Sequence, residues 1–223
     1  MRLRHRRPVL VISGAAMILA LGACAGLPGA QIPSATVVPT GASAPPVGSA
    51  PPAAAATVKD DSTWATKWGP LSAADRELIT KVRLATLWEM TMAQQAQTRA
   101  SSARVRQVSK EIAAQHSVLD EQVLALAAKL KVQLPIKPTD LQKEWMDDIS
   151  SRSGKAYDST YVKWLRLAHG QIFGLIGAVR GSTQNTLVRP FSEKANAAVL
   201  NHQRLLESTG LTNPDAFPSP PAS

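Results

Sequence analysis

Cysteine is almost absent from this chain, since Cys24 is the only one in 223 residues. A lone cysteine excludes a disulfide within the chain, and it excludes redox or metal sites built from several cysteines. Aromatic residues are also scarce, at 4% of the sequence. Gly-rich phosphate-binding signatures and a Gly-x-Ser-x-Gly elbow are missing, so no motif predicts nucleotide chemistry or a serine hydrolase. The sequence therefore contains no catalytic motif, and we do not predict an enzyme.

The position of Cys24 indicates what it does. The chain begins with the basic segment MRLRHRR, continues with an apolar run from Val9 to Leu21, and then has small residues. This order is typical of a secretory signal peptide, and the run is shorter than the roughly 20 apolar residues that span a bilayer. Residues 21–24, LGAC, resemble the bacterial lipobox, which implies cleavage before Cys24 and lipidation of its thiol. The alternatives are an uncleaved anchor, or an ordinary signal peptide with a chance cysteine.

The positive charge of the chain is smaller than it first looks. The formal net charge is +9, from 25 basic and 16 acidic residues. Removal of residues 1–23 takes away four arginines and no acid, which leaves 21 − 16 = +5. The remaining charges of both signs are interspersed, as on solvated helix faces. We therefore expect no nucleic acid partner, and at most weak attraction to anionic headgroups or wall polymers.

Both ends of the mature chain have the composition of disordered segments. Residues 25–58 contain no charged residue and are rich in Pro, Ala, Ser and Gly. We predict a signal peptide at 1–23, a lipidated Pro/Ala/Ser-rich disordered tether at 24–70, and a Pro-rich disordered tail at 210–223. The charge-free part of the tether would reach about 30 Å as a coil and about 100 Å if extended. Trp64 and Trp68, at its end, would either pack on the folded part or face a membrane.

Residues 71–209 have the apolar period of an α-helix, and no stretch alternates as a β-strand would. The pattern predicts four long helices, with one short extra helix between the second and the third long ones. Because the connections are short and each long helix has one apolar stripe, we predict an all-α fold. Its expected architecture is an antiparallel four-helix bundle.

Local signals predict several of the helix boundaries. Capping-box patterns indicate helix starts at Ser72 and Thr139, and Gly154 is expected to end the short helix. A turn is expected at residues 180–183. Pro190 either lies in the first turn of the last helix or kinks that helix.

Each long helix has one ionisable residue on its apolar stripe. A buried carboxylate costs several kcal/mol unless it is paired, and imidazoles are suitable partners. Two interpretations stay open. The four residues can form a site for zinc, iron or manganese, or Glu89 can accept hydrogen bonds from histidines and set the helix register. A carboxylate di-metal site is not predicted, because no acidic residue lies three positions before any of these histidines. The four candidate ligands are Glu89, His116, His169 and His202.

Several stretches around these residues carry a family resemblance. They are MTMAQQA after Glu89, QHSVLDEQVLALAAKLKVQLP, SGKAYDSTYVKWLRLAHGQ and NHQRLLES. Over about residues 71–208 the chain resembles the exported ferritin-like bundles catalogued as a domain of unknown function (DUF family 4142). The resemblance implies a secreted or membrane-anchored ferritin-like four-helix bundle, and no established activity. Gln115 stands where the family usually has an acid, and loss of that acid would weaken the orientation of His116 as a metal ligand.

The sequence thus predicts a bacterial envelope lipoprotein, anchored outside the cytoplasm through lipid on Cys24. Its helical bundle would have a non-catalytic binding or structural role, with an envelope protein or a wall polymer as the possible partner. The alternative is a metal-binding or redox protein that uses Glu89 and the three core histidines.

Overall fold

The computed structural model describes residues 60–220, so the predicted signal peptide, Cys24 and most of the predicted tether lie outside the described residues. Within this range the chain forms five α-helices, one short 3-10 helix and no β-strand, which confirms the predicted all-helical class. None of these helices is both long and apolar enough to cross a lipid bilayer. The α-helices are α1 (Ala73–Arg99), α2 (Ala103–Leu130), α3 (Asp140–Ser150), α4 (Gly154–Ser182) and α5 (Val188–Glu207), and the 3-10 helix is Pro214–Ala216.

Side-chain capping explains where the first three helices begin. The Ser72 hydroxyl accepts a hydrogen bond from the Asp75 amide, and the Asp75 carboxylate accepts one from the Ser72 amide. Thr139 and Gln142 form the same reciprocal pair at α3, while Ser102 caps α2. These contacts satisfy amides that have no partner inside the helix, and they confirm the predicted starts at Ser72 and Thr139.

Two predicted boundaries around α4 are wrong. Gly154 does not end α3 but is the first residue of α4, and its positive φ of 56° lets the chain turn sharply between the two helices. The predicted turn at 180–183 is instead the last turn of α4, which continues to Ser182. Pro190 is the third residue of α5, where the missing amide hydrogen costs no helical hydrogen bond.

The long helices bury their apolar faces against one another. Helix α1 packs against α2 and α4, α5 packs against α4 and α2, and α3 lies across α4 and α1. The buried residues form two separate apolar clusters along these helices. The first cluster includes Leu78, Val82, Leu119, Val123, Ile176 and Val199, and the second includes Trp88, Met92, Ile112, Tyr161, Leu165 and Leu206.

The segment just before α1 packs against the helices, although prediction assigned it to the disordered tether. Trp64 forms an antiparallel bridge with Leu71, and Trp64 and Trp68 lie partly buried against the first apolar cluster. Gly69 has a φ of 98°, and a Cβ there would come within 2.6 Å of a backbone oxygen. The Asn185 side chain donates to the Gly69 carbonyl and accepts from the first amides of α5. One amide group therefore joins the pre-α1 segment to the start of α5.

Part of the predicted disordered tail also packs on the fold. The 3-10 helix at Pro214–Ala216 contacts α4, and Ala216 is completely buried. The Arg166 guanidinium lies 4.4 Å from the centre of the Phe217 ring. A Cβ at Gly170 would come within 2.6 Å of Pro218, so glycine permits this close approach. The packed chain extends beyond Thr209 to at least Pro218.

Asp158 joins α4 to the turn between α1 and α2. Its carboxylate is buried, with 2% exposure, and it accepts hydrogen bonds from the Ser101 amide, the Ser101 hydroxyl and the Ser102 amide at 2.9, 2.5 and 2.8 Å. Hydrogen bonds to a charged group contribute more than neutral ones. The contact fixes the start of α2 relative to α4.

We expect Asp158→Ala to lower the free energy of unfolding by about 2–4 kcal/mol, because it leaves the turn amides without their acceptor. The measurement is the urea midpoint followed by circular dichroism. Asp147→Ala is the matched control, since Asp147 is exposed on α3, and it should change stability by less than about 0.5 kcal/mol. Equal effects of the two substitutions would contradict the assigned role.

Candidate metal centre

The four candidate ligands predicted from the sequence converge in the middle of the helical core. Glu89, His116, His169 and His202 come from α1, α2, α4 and α5, and their exposures are 2%, 3%, 3% and 0%. We call these four residues the polar layer. On every one of the four helices the polar residue lies between a residue of the first apolar cluster and one of the second. The four side chains therefore share one level along the helices, which the sequence could not establish.

The polar atoms of the layer are within direct contact of one another. Glu89 Oε2 lies 3.0 Å from His116 Nε2 and 3.3 Å from His169 Nε2. His169 Nε2 lies 2.8 Å from His202 Nδ1. His116, His169 and His202 each have one ring nitrogen that lies within 4.8 Å of the corresponding nitrogens of the other two. Three imidazoles thus converge on a common centre, and the Glu89 carboxylate contacts two of them.

A backbone carbonyl sets the orientation of His169. His169 Nδ1 lies 2.7 Å from the Leu165 carbonyl oxygen, which can only accept a hydrogen bond, so Nδ1 carries a proton. In the neutral ring Nε2 then has a free lone pair, and His202 Nδ1 donates to it. A metal-binding histidine commonly donates its other ring N–H to a carbonyl or a carboxylate in this way. His169 is therefore held with Nε2 towards the centre of the layer.

Thr86 lies on the outer side of His116. Its hydroxyl oxygen is 3.5 Å from His116 Nδ1, and its hydrogen is donated to the Val82 carbonyl at 3.1 Å. Because the hydroxyl proton is already used, the oxygen is left to accept from the imidazole. Nε2 of His116 is directed to the centre, where it donates to the Glu89 carboxylate at 3.0 Å, since a carboxylate can only accept.

Burial keeps two of the histidines neutral. Desolvation lowers the pKa of His169, and positive charge on His116 would lower it further, although Glu89 acts in the opposite direction. Desolvation also lowers the pKa of His202, with a further contribution from the neighbouring His169 and His116. Neutral imidazole is the form that binds a metal ion. The protein environment therefore prepares both rings for coordination.

A cavity leads to the polar layer. It has a volume of about 440 Å³, and all four residues of the layer line it. Leu141, on its wall, is 55% exposed, so the cavity is open to solvent beside α3. We call it the core cavity. Its apolar wall is formed by Leu84, Trp88, Leu141, Trp145, Ile172 and Leu175.

The donor set of the layer suits a transition-metal ion. Three nitrogen ligands and one carboxylate oxygen match the preferences of zinc, iron and related divalent ions. Hydrogen bonds of 3.0 Å between His116 and Glu89 and of 2.8 Å between His169 and His202 hold the layer together, and a bound cation would take the place of their protons. The arrangement can therefore hold either protons or a metal.

Two other polar residues of α2, Gln115 and Asp120, lie near His116 in sequence and have different partners. Gln115, at the position where an acid was expected, accepts a hydrogen bond from Asn201, which is not a residue of the polar layer. Asp120 forms an ion pair with Arg83. Thr86 escaped sequence reasoning although a threonine on a buried stripe was a usable signal. No sequence signal could have identified the backbone carbonyl of Leu165 as the partner of His169, because every residue has a backbone carbonyl.

The family profile described as Domain of unknown function (DUF4142) matches residues 61–208. This is more than half of the 223-residue chain, and the chain belongs to this family, as the resemblance predicted. The match begins within the pre-α1 segment that packs on the helices. Searches of curated proteins and of solved structures found no match.

Without metal, the protein should lose stability as the pH falls below about 6.5, where the histidines of the unfolded chain take up protons. His169 and His202 have lowered pKa values in the folded protein, so the unfolded state binds more protons and stability rises with pH. Each such group contributes up to about 1.4 kcal/mol per pH unit below that pH. Urea unfolding in EDTA between pH 8 and pH 5 measures the effect.

The variant His202→Gln supplies the comparison for this pH series. It removes one of the two groups that take up a proton on unfolding, so its unfolding free energy should depend less steeply on pH. A wild-type protein whose stability is constant between pH 7 and pH 5 would show that the two rings are not held neutral.

Proposed function

We propose that this member of the family binds one divalent first-row transition-metal ion, such as zinc, iron or manganese, in its core. The ligands are Glu89, His116, His169 and His202. The observation that carries the proposal is the convergence of these four buried side chains on one level. The hydrogen bond from His169 Nδ1 to Leu165, at 2.7 Å, supports it, because it directs the Nε2 lone pair to the centre, where a metal would replace the proton of His202 Nδ1.

Electrostatics favours a cation in this position. Glu89 is 2% exposed, and a buried carboxylate without a compensating charge is costly. The rings of His169 and His202 resist protonation, since burial lowers the pKa of both. A divalent ion supplies the positive charge that these rings do not. The competing function for the layer is a purely structural one, in which hydrogen bonds between Glu89 and the histidines set the helix register.

The proposed fold is an antiparallel ferritin-like four-helix bundle at residues 71–209, with α3 as the extra short helix. The contacts of α1 with α2 and α4, and of α5 with α4 and α2, support it. The three-residue connection between Arg99 and Ala103 also supports an antiparallel pair. Bundles of this kind hold metal ions between inward side chains of facing helices.

The proposed setting is the bacterial envelope, with the helical part held outside the cytoplasm by lipid on Cys24. The basic segment, the apolar run and the LGAC sequence at residues 21–24 support it. The charge-free residues 25–58 would serve as the tether between the anchor and the helices. A membrane is the proposed partner through this anchor, and an envelope protein or wall polymer is a further possible partner.

Metal content tests the central proposal. The full chain, purified without a His-tag and without chelator, should contain about one zinc, iron or manganese ion per chain by elemental mass spectrometry. His169→Ala should lower the content at least tenfold, because it removes the ligand that the Leu165 carbonyl orients. Asn201→Ala is the matched control on α5, since Asn201 bonds Gln115 outside the layer.

The alternative for the polar layer makes a different prediction. A purely structural layer leaves wild type folded and metal-free, and added zinc, iron or manganese then changes neither the thermal midpoint nor the metal content. That result would overturn the metal-binding proposal and favour hydrogen bonding as the function of the layer.

A second test concerns the anchor. Wild type should remain in the membrane fraction after a high-salt wash, because two or more acyl chains bind a membrane durably. Cys24→Ser should move the protein to the soluble fraction, whereas Ser34→Ala, a substitution in the same charge-free segment, should not. Equal membrane retention of Cys24→Ser and wild type would exclude lipid on Cys24 as the anchor.

A further inference from the structure

We infer that the core cavity binds a small aromatic carboxylate, whose carboxylate oxygen coordinates the metal of the polar layer. The inference rests on the proposed metal site and adds to it a class of ligand. The ligand oxygen would be a fifth donor beside the four proposed protein ligands, so the metal would be five-coordinate when the ligand is bound.

The size and position of the core cavity are the first reason. Its volume of about 440 Å³ lies in the range of about 300–1,000 Å³ that is common for small-molecule sites. Glu89 and all three histidines line it, so a metal held among them faces the cavity. The exposed side chain of Leu141 marks the entrance.

The walls determine what kind of molecule fits. They are mainly apolar, and two of them are tryptophans, Trp88 and Trp145, whose rings lie 5.5 Å apart at 65°. Trp145 is stacked on Trp164 at 5.3 Å, and the Trp164 indole donates to Asp148 at 2.7 Å. Trp164 and Asp148 therefore hold the Trp145 ring in place in the wall. A ligand ring would gain both burial and edge-to-face or offset contacts there.

The charge of the metal centre determines the head group. A divalent ion with one carboxylate and three neutral imidazoles keeps one net positive charge. In apolar surroundings that charge is costly, and one anionic oxygen donor from the ligand would cancel it. A singly charged carboxylate therefore suits the site better than a neutral amide or a dianion.

Apart from Gln171, the polar side chains at the rim of the cavity pair with one another. Lys81 is 3.8 Å from the Glu77 carboxylate, so the rim carries both signs of charge. Thr139 and Gln142 already bond each other in the cap of α3. We therefore expect a ligand with one polar end, directed to the metal, and an apolar aromatic body towards the entrance.

Benzoate and benzamide are suitable probes, because they have nearly the same shape and differ in charge. The full chain is first loaded with zinc, and its zinc content is measured. Isothermal titration calorimetry should then show benzoate binding at least ten times more tightly than benzamide. Removal of zinc with EDTA should abolish this preference.

Two variants test the location of the ligand. Ala85→Leu adds bulk to the cavity from α1 and should weaken benzoate binding at least tenfold with zinc content unchanged. Ala114→Leu, the same substitution at an exposed position of α2, should have no effect. Leu141→Glu is the second test, because its exposed position tolerates a charge. The new carboxylate at the entrance should weaken benzoate binding more than benzamide binding.

The outcomes separate this inference from the metal proposal. Zinc-loaded protein that binds benzoate no better than benzamide, or whose binding Ala85→Leu leaves unchanged, overturns the inference and leaves the metal site standing. Protein that takes up no zinc overturns both. Charge-selective binding that depends on zinc and is lost in Ala85→Leu supports both.

Discussion

The burial of the Glu89 carboxylate is the constraint on which the rest of the core depends. A carboxylate with 2% exposure needs partners that water cannot supply, and here they come from two other helices, as His116 on α2 and His169 on α4. The requirement sets the positions of α1, α2 and α4 along their axes relative to one another, because His116 and His169 both reach Glu89 Oε2, and α5 joins them through the contact of His202 with His169. A shift of any of these helices by one turn, about 5.4 Å, would break the contact. In this structure the contacts of the polar layer thus join all four long helices at one level.

The two apolar clusters on either side give the layer its chemical character. They exclude water from the histidines, and this desolvation lowers the pKa values of His169 and His202. The ends of the fold hold the helices that carry the layer. Asp158 ties α4 to the turn between α1 and α2, and Asn185 ties the pre-α1 segment to the start of α5. Hydrogen bonds far from the centre thus help to fix the geometry at the centre.

Helix α3 has a role beyond that of a connector. It lies across α1 and α4, and its Trp145 forms part of the wall of the core cavity. The same ring bridges Trp88 in the core and Trp164 on α4. Without α3, the side of the polar layer that faces the cavity would open more widely to water. The short helix therefore shapes access to the centre, which is what separates a binding site from a sealed structural one.

The sequence by itself determined the helical class, the starts of α1 and α3, and the identity of the four polar residues. Helical periodicity and reciprocal capping depend on residues three or four positions apart, so local chemistry is enough. The sequence did not determine that the four side chains share one level, that Leu165 orients His169, or that a cavity reaches the layer. It left open whether Trp64 and Trp68 pack on the helices, and it missed the packing of residues 214–218, whose composition is Pro-rich. All of these depend on contacts between residues distant in the chain, and only the packing of the helices decides which of those contacts form.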